Sequence, residues 1–510
     1  MKTGEHFADH EIKYRSKQKV SRAKRGTKPK KRKAVMEVKR WIGIRPRIKG
    51  LGNEDNPPRP TEVCIITGDG TRHNVELKTE QGELDFILGH FPTGWRDVSV
   101  DEDISSVPKH LVIHDDAEEA KRKDRPLKPD QIPSGYIGLQ TGDLVGMSLG
   151  GLGDLMAYSI SRNGENGGFA VKRLPPYKLK EEREKRKLEK GDDADLLAVL
   201  IQESPEIFRD LAKRDRAIVK LRETERLRKF VQGDRKACAM RVRSAVMGSI
   251  FCSEEGGYPE GGLEKVFELA LANDPVLVAL EEKEGRLNKQ LKSACEDLPI
   301  YRAIKPLITG AGPSILGSIF ASIQDIGLFD TPGKMKAFCG LHVLQDGSFP
   351  RKRVGVKCNW NPGSRQAFFL LGDQFNRRPG SFWGSRLIAN KSEYKVKHPH
   401  PILVASDGKE YPLIDGQFRK KNGQYTITTA IGDIVVSGKQ KWFNGHLHKM
   451  AIWKTLGEFA EWLYWKWRTL EGYPSHLPRV YPTEDEAEIT RLKSTIPSCN
   501  MMQSELNSGS

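Results

Sequence analysis

The chain has 510 residues, 84 Lys and Arg against 67 Asp and Glu, and a formal net charge of +17. Its length exceeds one ordinary core, so roughly two to four domains are expected, and its charge favours a polyanionic partner, of which nucleic acid is the commonest. The N-terminus is polar, no apolar run approaches the roughly 18 residues that span a bilayer, and the seven cysteines show no Cys-x-x-Cys spacing; this pattern points to a cytoplasmic protein with no membrane span, disulfide framework or zinc ribbon.

Residues 1–40 form a Lys/Arg-rich arm containing YRSKQKVSRAKRGTKPKKRK. It has almost nothing to bury, so disorder and contact with phosphates are expected. From Trp41 the texture changes. RWIGIRP, TEVCIITGDGT, HNVELKT and GYIGLQTGDLVGMSLGG are short β-rich runs between Gly, Pro and Asp signals. TGDGT, Thr67 to Thr71, predicts a hairpin turn. A charged stretch, PPYKLKEEREKRKLEKGDD, and a helical run, DADLLAVLIQ, follow. Strands followed by helices predict an α/β domain over 41–203.

Residues 204–305 are charged, with apolar residues three and four apart. Ile207, Leu211, Ile218, Leu221 and Leu227 form one series, and Leu263, Phe267, Leu271, Leu277, Leu280, Leu287 and Leu291 another. The spacing predicts a coiled-coil helical hairpin broken at SEEGGYPEGG, and a homo-oligomer through it. Residues 306–475 read as a mainly α C-terminal domain with a polar, β-like insertion at 398–443. GHLHKMAIWKTLGEFAEWLYWKWRTL puts Met450, Trp453, Leu456, Ala460, Leu463 and Trp467 on one face of a closing helix. A tail over 476–510 remains.

Within the C-terminal domain, Leu307-Ile308-Thr309-Gly310-Ala311-Gly312-Pro313 has the form of a helix-hairpin-helix turn. One helix ends at Gly310, where positive φ is cheap, and the next starts near Pro313, whose missing N–H is no loss in a first turn. Bare N–H groups and the positive helix end can then hold a phosphate. A basic segment with interleaved aromatics follows. Lys334, Lys336, Arg351, Lys352, Arg353, Lys357 and Arg365 are expected to line a groove that tracks a DNA backbone, with Phe349 or Trp360 available for stacking.

The ordered run ITGAGP, IGLFDTPGKMKAFCGLH, GSFPRKRVG and NWNPGSRQAFFLLGDQF resembles the C-terminal domain of IS-one-ten family transposases, which include the Piv-type invertases and the bridge-RNA-guided recombinases. The terminal helix from Gly445 resembles the one that ends that domain. The resemblance covers about 306–395 and 445–470; the insertion between them is unusual. It implies an N-terminal RuvC-like (RNase H-like) domain, a coiled coil, DNA and a structured guide RNA as partners, and DNA transposition through a serine nucleophile with Mg²⁺ on a four-carboxylate cluster. The serine role carries to Ser348, which follows Gly340-Leu341, with Ser364 as the fallback or a helix N-cap.

The carboxylate pattern departs from the family. Arg45 stands where the first strand would end in aspartate, Ser148 where a glutamate would follow a later strand, and Lys190 where the first aspartate of the final pair would stand. Asp193 matches, and a shifted register offers Asp192 and Asp195 as ligands, with Asp143 and Asp154 as possible substitutes. Arg45 and Lys190 would instead pair with Asp193 in a fold held without metal. Two readings follow: an insertion-sequence recombinase using Ser348 and Asp193, or a catalytically inactive nucleic-acid-binding descendant. His398-Pro-His400 and His446-x-His448 lack Cys or carboxylates at ligand spacing, so zinc is not expected; His446 and His448, at a helix start, suit capping or phosphate contact.

Overall fold

The computed structural model describes residues 37–48, 59–99, 102–115, 128–148, 153–211, 213–254, 256–344, 349–356, 358–405, 407–414, 417–421, 424–429 and 432–495. The basic arm up to residue 36, Ser348, Lys357 and the tail beyond 495 lie outside them. No helix among the described residues is long and apolar enough to cross a membrane.

The chain opens with β1 (Arg40–Arg45), β2 (Thr61–Thr67) and β3 (Arg72–Leu77), an antiparallel meander. The turn expected at Thr67 to Thr71 closes β2 onto β3, with Gly70 at φ 84° and its amide bonded to Thr67 O. Helix α1 (Glu80–Leu88) follows, capped by the Thr79 hydroxyl. A separate sheet of β4 (Phe91–Asp97), β5 (Ile113–His114) and β6 (Pro129–Ile137) comes next, in the order β4-β6-β5. Then β7 (Asp143–Ser148), α2 (Gly153–Gly167), β8 (Ala170–Leu174), α3 (Pro176–Lys185), α4 (Asp193–Glu203) and β9 (Arg209–Asp210) complete a six-stranded mixed sheet. Its order is β3-β2-β1-β7-β8-β9, with β1, β7 and β8 parallel.

Period-two alternation divides the strand residues between two buried faces. Ile42, Ile44, Val145 and Met147 pack with Phe86, Met156 and Ile160 beneath α1 and α2. On the other face Leu144 and Leu174 meet Leu197 and Ile201 of α4. That helix lies directly on the sheet because small residues face each other. A Cβ on Gly43 would stand 1.9 Å from Ala194 O and 2.4 Å from Ala198 N. Only glycine fits there.

Helix α5 (Lys213–Phe251) runs out for 39 residues, about 58 Å at 1.5 Å per residue. Helices α6 (Leu263–Asn273) and α7 (Pro275–Glu296) return alongside it. Arg243 bonds Glu264, and Arg235 and Gln232 bond Glu284, while Leu221 meets Leu291 in the core; the arrangement is therefore an antiparallel hairpin. The buried series differs from the expected one at its start. Ile207 and Leu211 precede the helix and pack on the sheet, and Leu227 is exposed, because Glu225 and Arg228 take the inner face as a buried ion pair.

The remainder comprises α8 (Pro299–Ile304), α9 (Pro313–Ile323), α10 (Pro332–Phe338), α11 (Pro362–Arg377) and α12 (Phe382–Lys397), then the insertion, then α13 (Asn444–Leu470) and α14 (Glu486–Thr495). Trp383, Phe459, Trp462, Trp465 and Trp467 centre its core, which also takes in Ile218, Leu221 and Leu291 from the base of the hairpin. The insertion carries β10 (Ile402–Ala405), β11 (Glu410–Pro412), β12 (Phe418–Lys421), β13 (Gln424–Thr429), β14 (Gly432–Val436) and β15 (Gly438–Lys441) in two three-stranded sheets. Leu403, Leu413, Tyr425 and Ile427 form its own small core.

Ion pairs join the three parts at one point. Arg173 of β8 bonds Asp215 of α5 at 3.0 Å and Asp325, just after α9, at 2.8 Å; Arg209 reaches Asp325 at 3.3 Å. Asp325 is presented by a γ-turn at Gln324 (φ 62°, ψ −67°), closed by the Asp325 amide donating to Ile323 O.

Candidate nucleic-acid interface

Two places gather the residues singled out in the sequence. The first is the carboxyl end of β1 and β7. The register pairs Ile44 with Met147, so Arg45 and Ser148 finish neighbouring strands. Arg45 donates to Gly191 O at 3.3 Å, which brings the start of α4 and Asp193 over the same end.

The three positions converge, but their chemistry does not suit a cation. Arg45 is held by Glu62 on β2 at 2.6 Å, and Asp193 by both arms of Arg183 at 2.8 and 3.1 Å. The expected pairing of Arg45 and Lys190 with Asp193 therefore gives way to Glu62 and Arg183, which lie nearer in the fold. Asp192 accepts the Glu189 amide in a capping box. Asp195 faces Cys64, whose thiol burial pushes up to about 12, helped by that carboxylate. Asp143 lies at the far end of β7, five residues or about 16 Å from Ser148, and is bound through two hydrogen bonds of 2.7 Å to Arg40. Asp154 is buried against Arg222, and burial raises its pKa above the usual carboxylate range despite that partner. Mg²⁺ needs several converging oxygen ligands, whereas here arginines already neutralise the acids. The residues do not fit the metal, and no cluster of three or more His, Cys, Asp or Glu that could hold one occurs among the described residues.

The second place is a face of the C-terminal domain built by the loop after α10, the start of α11 and the first half of α13. Asn361 caps α11 by accepting the Ser364 amide at 2.9 Å. The fallback Ser364 is thus the third helical residue rather than the cap, and it is fully buried, which removes it from contact with DNA. Arg365, one residue on, donates to Gly340 O and lies over Trp453, 4.2 Å from its ring centre, and over Trp360 at 5.2 Å. Burial, then the charge of nearby Arg351, lowers its pKa. Phe349 and Phe369 pack against the same Trp453 at 5.7 and 6.3 Å. Trp360 is buried beneath Arg365 rather than available for stacking; Phe349 is half-buried and Phe369 half-exposed.

The basic residues separate into two sets. Arg351, Lys352 and Arg353 are exposed and have no ion-pair partner among the described residues. Lys334 is bound to Asp330 at 2.7 Å and Lys336 to Glu461 at 2.6 Å. The Lys336 pair ties α10 to α13, whereas the Lys334 pair lies exposed on the surface.

At the hairpin turn between α8 and α9, Gly310 has φ 83° and Gly312 is extended at φ −98°, ψ −175°. The amides of Gly310, Ala311 and Gly312 lie at a hydrogen-bonded turn over Thr309 and Gly310. The Arg378 guanidinium stands 2.3 Å from where a Gly310 Cβ would lie, so a cation adjoins these amides. Only Gly310 needs glycine, since a Gly312 Cβ would meet nothing within 4 Å. Gly310→Val is therefore expected to lower the melting temperature and weaken DNA binding, whereas Gly312→Val leaves both near wild type; equal effects at the two positions would refute the assignment.

The chain matches no protein-family model and no curated protein. Its site must be read from its own geometry. Sequence reading missed Arg183, Arg40 and Arg222, the residues that neutralise the acids, because each lies far along the chain or on another element. It also missed Trp442, whose φ of 58° gives no sequence signal.

Proposed function

We propose that this is a cytoplasmic nucleic-acid-binding protein built on the plan of an IS-one-ten family transposase, binding through its C-terminal face without a metal centre in the sheet. The observation that carries the reading is Arg365. It is a half-buried guanidinium on two tryptophans, with a second guanidinium, Arg351, close enough to depress its pKa and no carboxylate partner among the described residues. Like charges held together repel, and a phosphate between them would relieve the repulsion.

The wider architecture supports the plan. An antiparallel meander whose first strand then runs parallel to two more is the arrangement expected of a RuvC-like (RNase H-like) domain. A helical hairpin follows, then a Gly310 turn between two helices, as a helix-hairpin-helix would have. DNA is the proposed partner, with a structured guide RNA and a second copy of the chain. Exposed Phe230 and Met240 on α5 would meet that copy, and light scattering over a concentration series would detect it.

A recombinase acting through Ser348 is the second reading. What favours it is Phe349, the next residue, seated on Trp453 beside Arg365. Thermal melting with and without Mg²⁺, together with a strand-cleavage assay on wild type and Ser348→Ala, separates the two. Because ion pairs already balance the sheet acids, Mg²⁺ is expected to leave the melting temperature unchanged and DNA uncut. A Mg²⁺-dependent rise in stability, with cleavage abolished by the serine change, would establish the enzyme instead.

A further inference from the structure

Four side chains of the C-terminal face form one array around Trp453 of α13. The Phe349 ring centre lies 5.7 Å from that of Trp453 with 32° between the planes, and the Phe369 ring centre 6.3 Å away with 36°. Both phenyl rings are thus nearer parallel to the indole than edge-on. The Arg365 guanidinium lies 4.2 Å from the indole centre, and its hydrogen bond to Gly340 O fixes it there. Arg365 and Phe369 are one turn apart on α11, so they share a face and both meet Trp453.

The array is open on one side. Phe369 is 49% exposed and its neighbour Leu370 43% exposed, although the same helix buries Phe368 and Leu371 completely. A single exposed ring is ordinary on a protein surface. This one continues a set of stacked rings, and the border of that set is cationic. Phe349 precedes Arg351 by two residues, so Arg351, Lys352 and Arg353 begin within about 7 Å of the array along the chain. Lys449 lies one turn before Trp453 on α13. All four are exposed and have no ion-pair partner among the described residues. The one acid of α11, Asp373, stands a turn beyond Phe369 and is taken up by Arg377 at 2.9 Å.

The ring and its border call for different parts of one ligand. Cations attract the phosphates of any nucleic acid. A duplex, however, hides the faces of its bases in its own stack, so an aromatic ring at the surface gains nothing from it. An acidic peptide answers the cations alone. An unpaired nucleotide offers both a flat face and a phosphate.

We propose that this face holds single-stranded nucleic acid, with an unpaired base stacked on Phe369 and the adjoining phosphates on Arg351, Lys352 and Arg353. The proposal rests on the nucleic-acid reading above and deepens it. A backbone contact satisfied by either form of nucleic acid becomes a site that also takes up an unpaired base.

The test is fluorescence anisotropy with the full chain and three labelled probes of equal length: a DNA single strand, the same strand with stable abasic residues in place of its nucleosides, and the duplex. Wild type should bind the intact strand about fivefold to 150-fold tighter than the abasic one, the worth of one stacked base. Phe369→Leu keeps an apolar side chain against Trp453 but removes the flat ring. It should erase most of that difference while leaving duplex affinity and the slope of log affinity against log salt unchanged, because no phosphate contact is lost. Equal wild-type affinity for the intact and abasic strands, or a Phe369→Leu protein that keeps the full difference, would overturn the site and leave salt-dependent binding and the wider reading intact. The abasic comparison needs no variant, so it decides the matter if Phe369→Leu does not fold. Poly-glutamate of matched charge that binds as tightly as the intact strand, with the same loss in Phe369→Leu, would give the face to an acidic protein and overturn the proposal. No binding to any of the three DNA probes would overturn both readings.

Discussion

Gly43→Ala should unfold the sheet–helix layer of the N-terminal half. The added methyl would stand 1.9 Å from the Ala194 carbonyl oxygen and 2.4 Å from the Ala198 amide nitrogen, and both are helix backbone that cannot turn aside as a side chain would. Moving α4 off β1 would open the buried contacts of Leu197 and Ile201 and loosen the Asp193–Arg183 pair at its first turn. Overpacking ordinarily costs about 1–3 kcal/mol, and more when backbone must shift; a loss of at least about 3 kcal/mol is expected here. Gly68→Ala is the control, since its Cβ would make only an ordinary 3.8 Å contact with Lys39 O. Thermal melting followed by circular dichroism, with hydrogen exchange on β1, checks both. A Gly43→Ala protein melting like wild type would mean that α4 does not sit where the sheet places it.

The second large effect concerns binding. Arg351, Lys352 and Arg353 are exposed and lack ion-pair partners among the described residues, so changing all three to Gln should leave the fold intact. If each neutralises one phosphate of duplex DNA, the slope of log affinity against log salt should become shallower by about 2.7, at about 0.9 per contact, and affinity at 0.1 M salt should fall about 500-fold. Lys334→Gln should change little, because Lys334 already pairs with Asp330. Titrations at several salt concentrations give both quantities. A parallel downward shift with an unchanged slope would remove these residues from phosphate contact.

TEVCIIT and DLVGMS, whose middles are apolar, each became an inner strand of the six-stranded sheet, and HNVELKT, legible through its alternation, became the exposed edge strand β3. By contrast, β4 reads FPTGWRD and β6 reads PDQIPSGYI. Proline and glycine argue against a regular strand, and the pairing survives only through register shifts around Gly94. The Gly310 turn was legible because positive φ selects glycine. The neutralised acids were not, since the Arg40–Asp143 pair joins residues 103 apart and no local pattern encodes it. The Arg365 stack depended likewise on Trp453, which reads along the chain as one more apolar position in a helical stripe.

The antiparallel course of α5 and α7 brings the chain back to where it left. The base of that excursion is fixed by Leu221, Leu291, the Arg173–Asp215 and Arg222–Asp154 pairs, and Ser318 of α9, whose hydroxyl donates to Glu225. Lengthening or trimming the two arms together by whole turns would therefore carry the tip inward or outward at about 5.4 Å per turn, while the junction below stays in register. The protein contains a ruler whose reading can be changed without disturbing what it is mounted on.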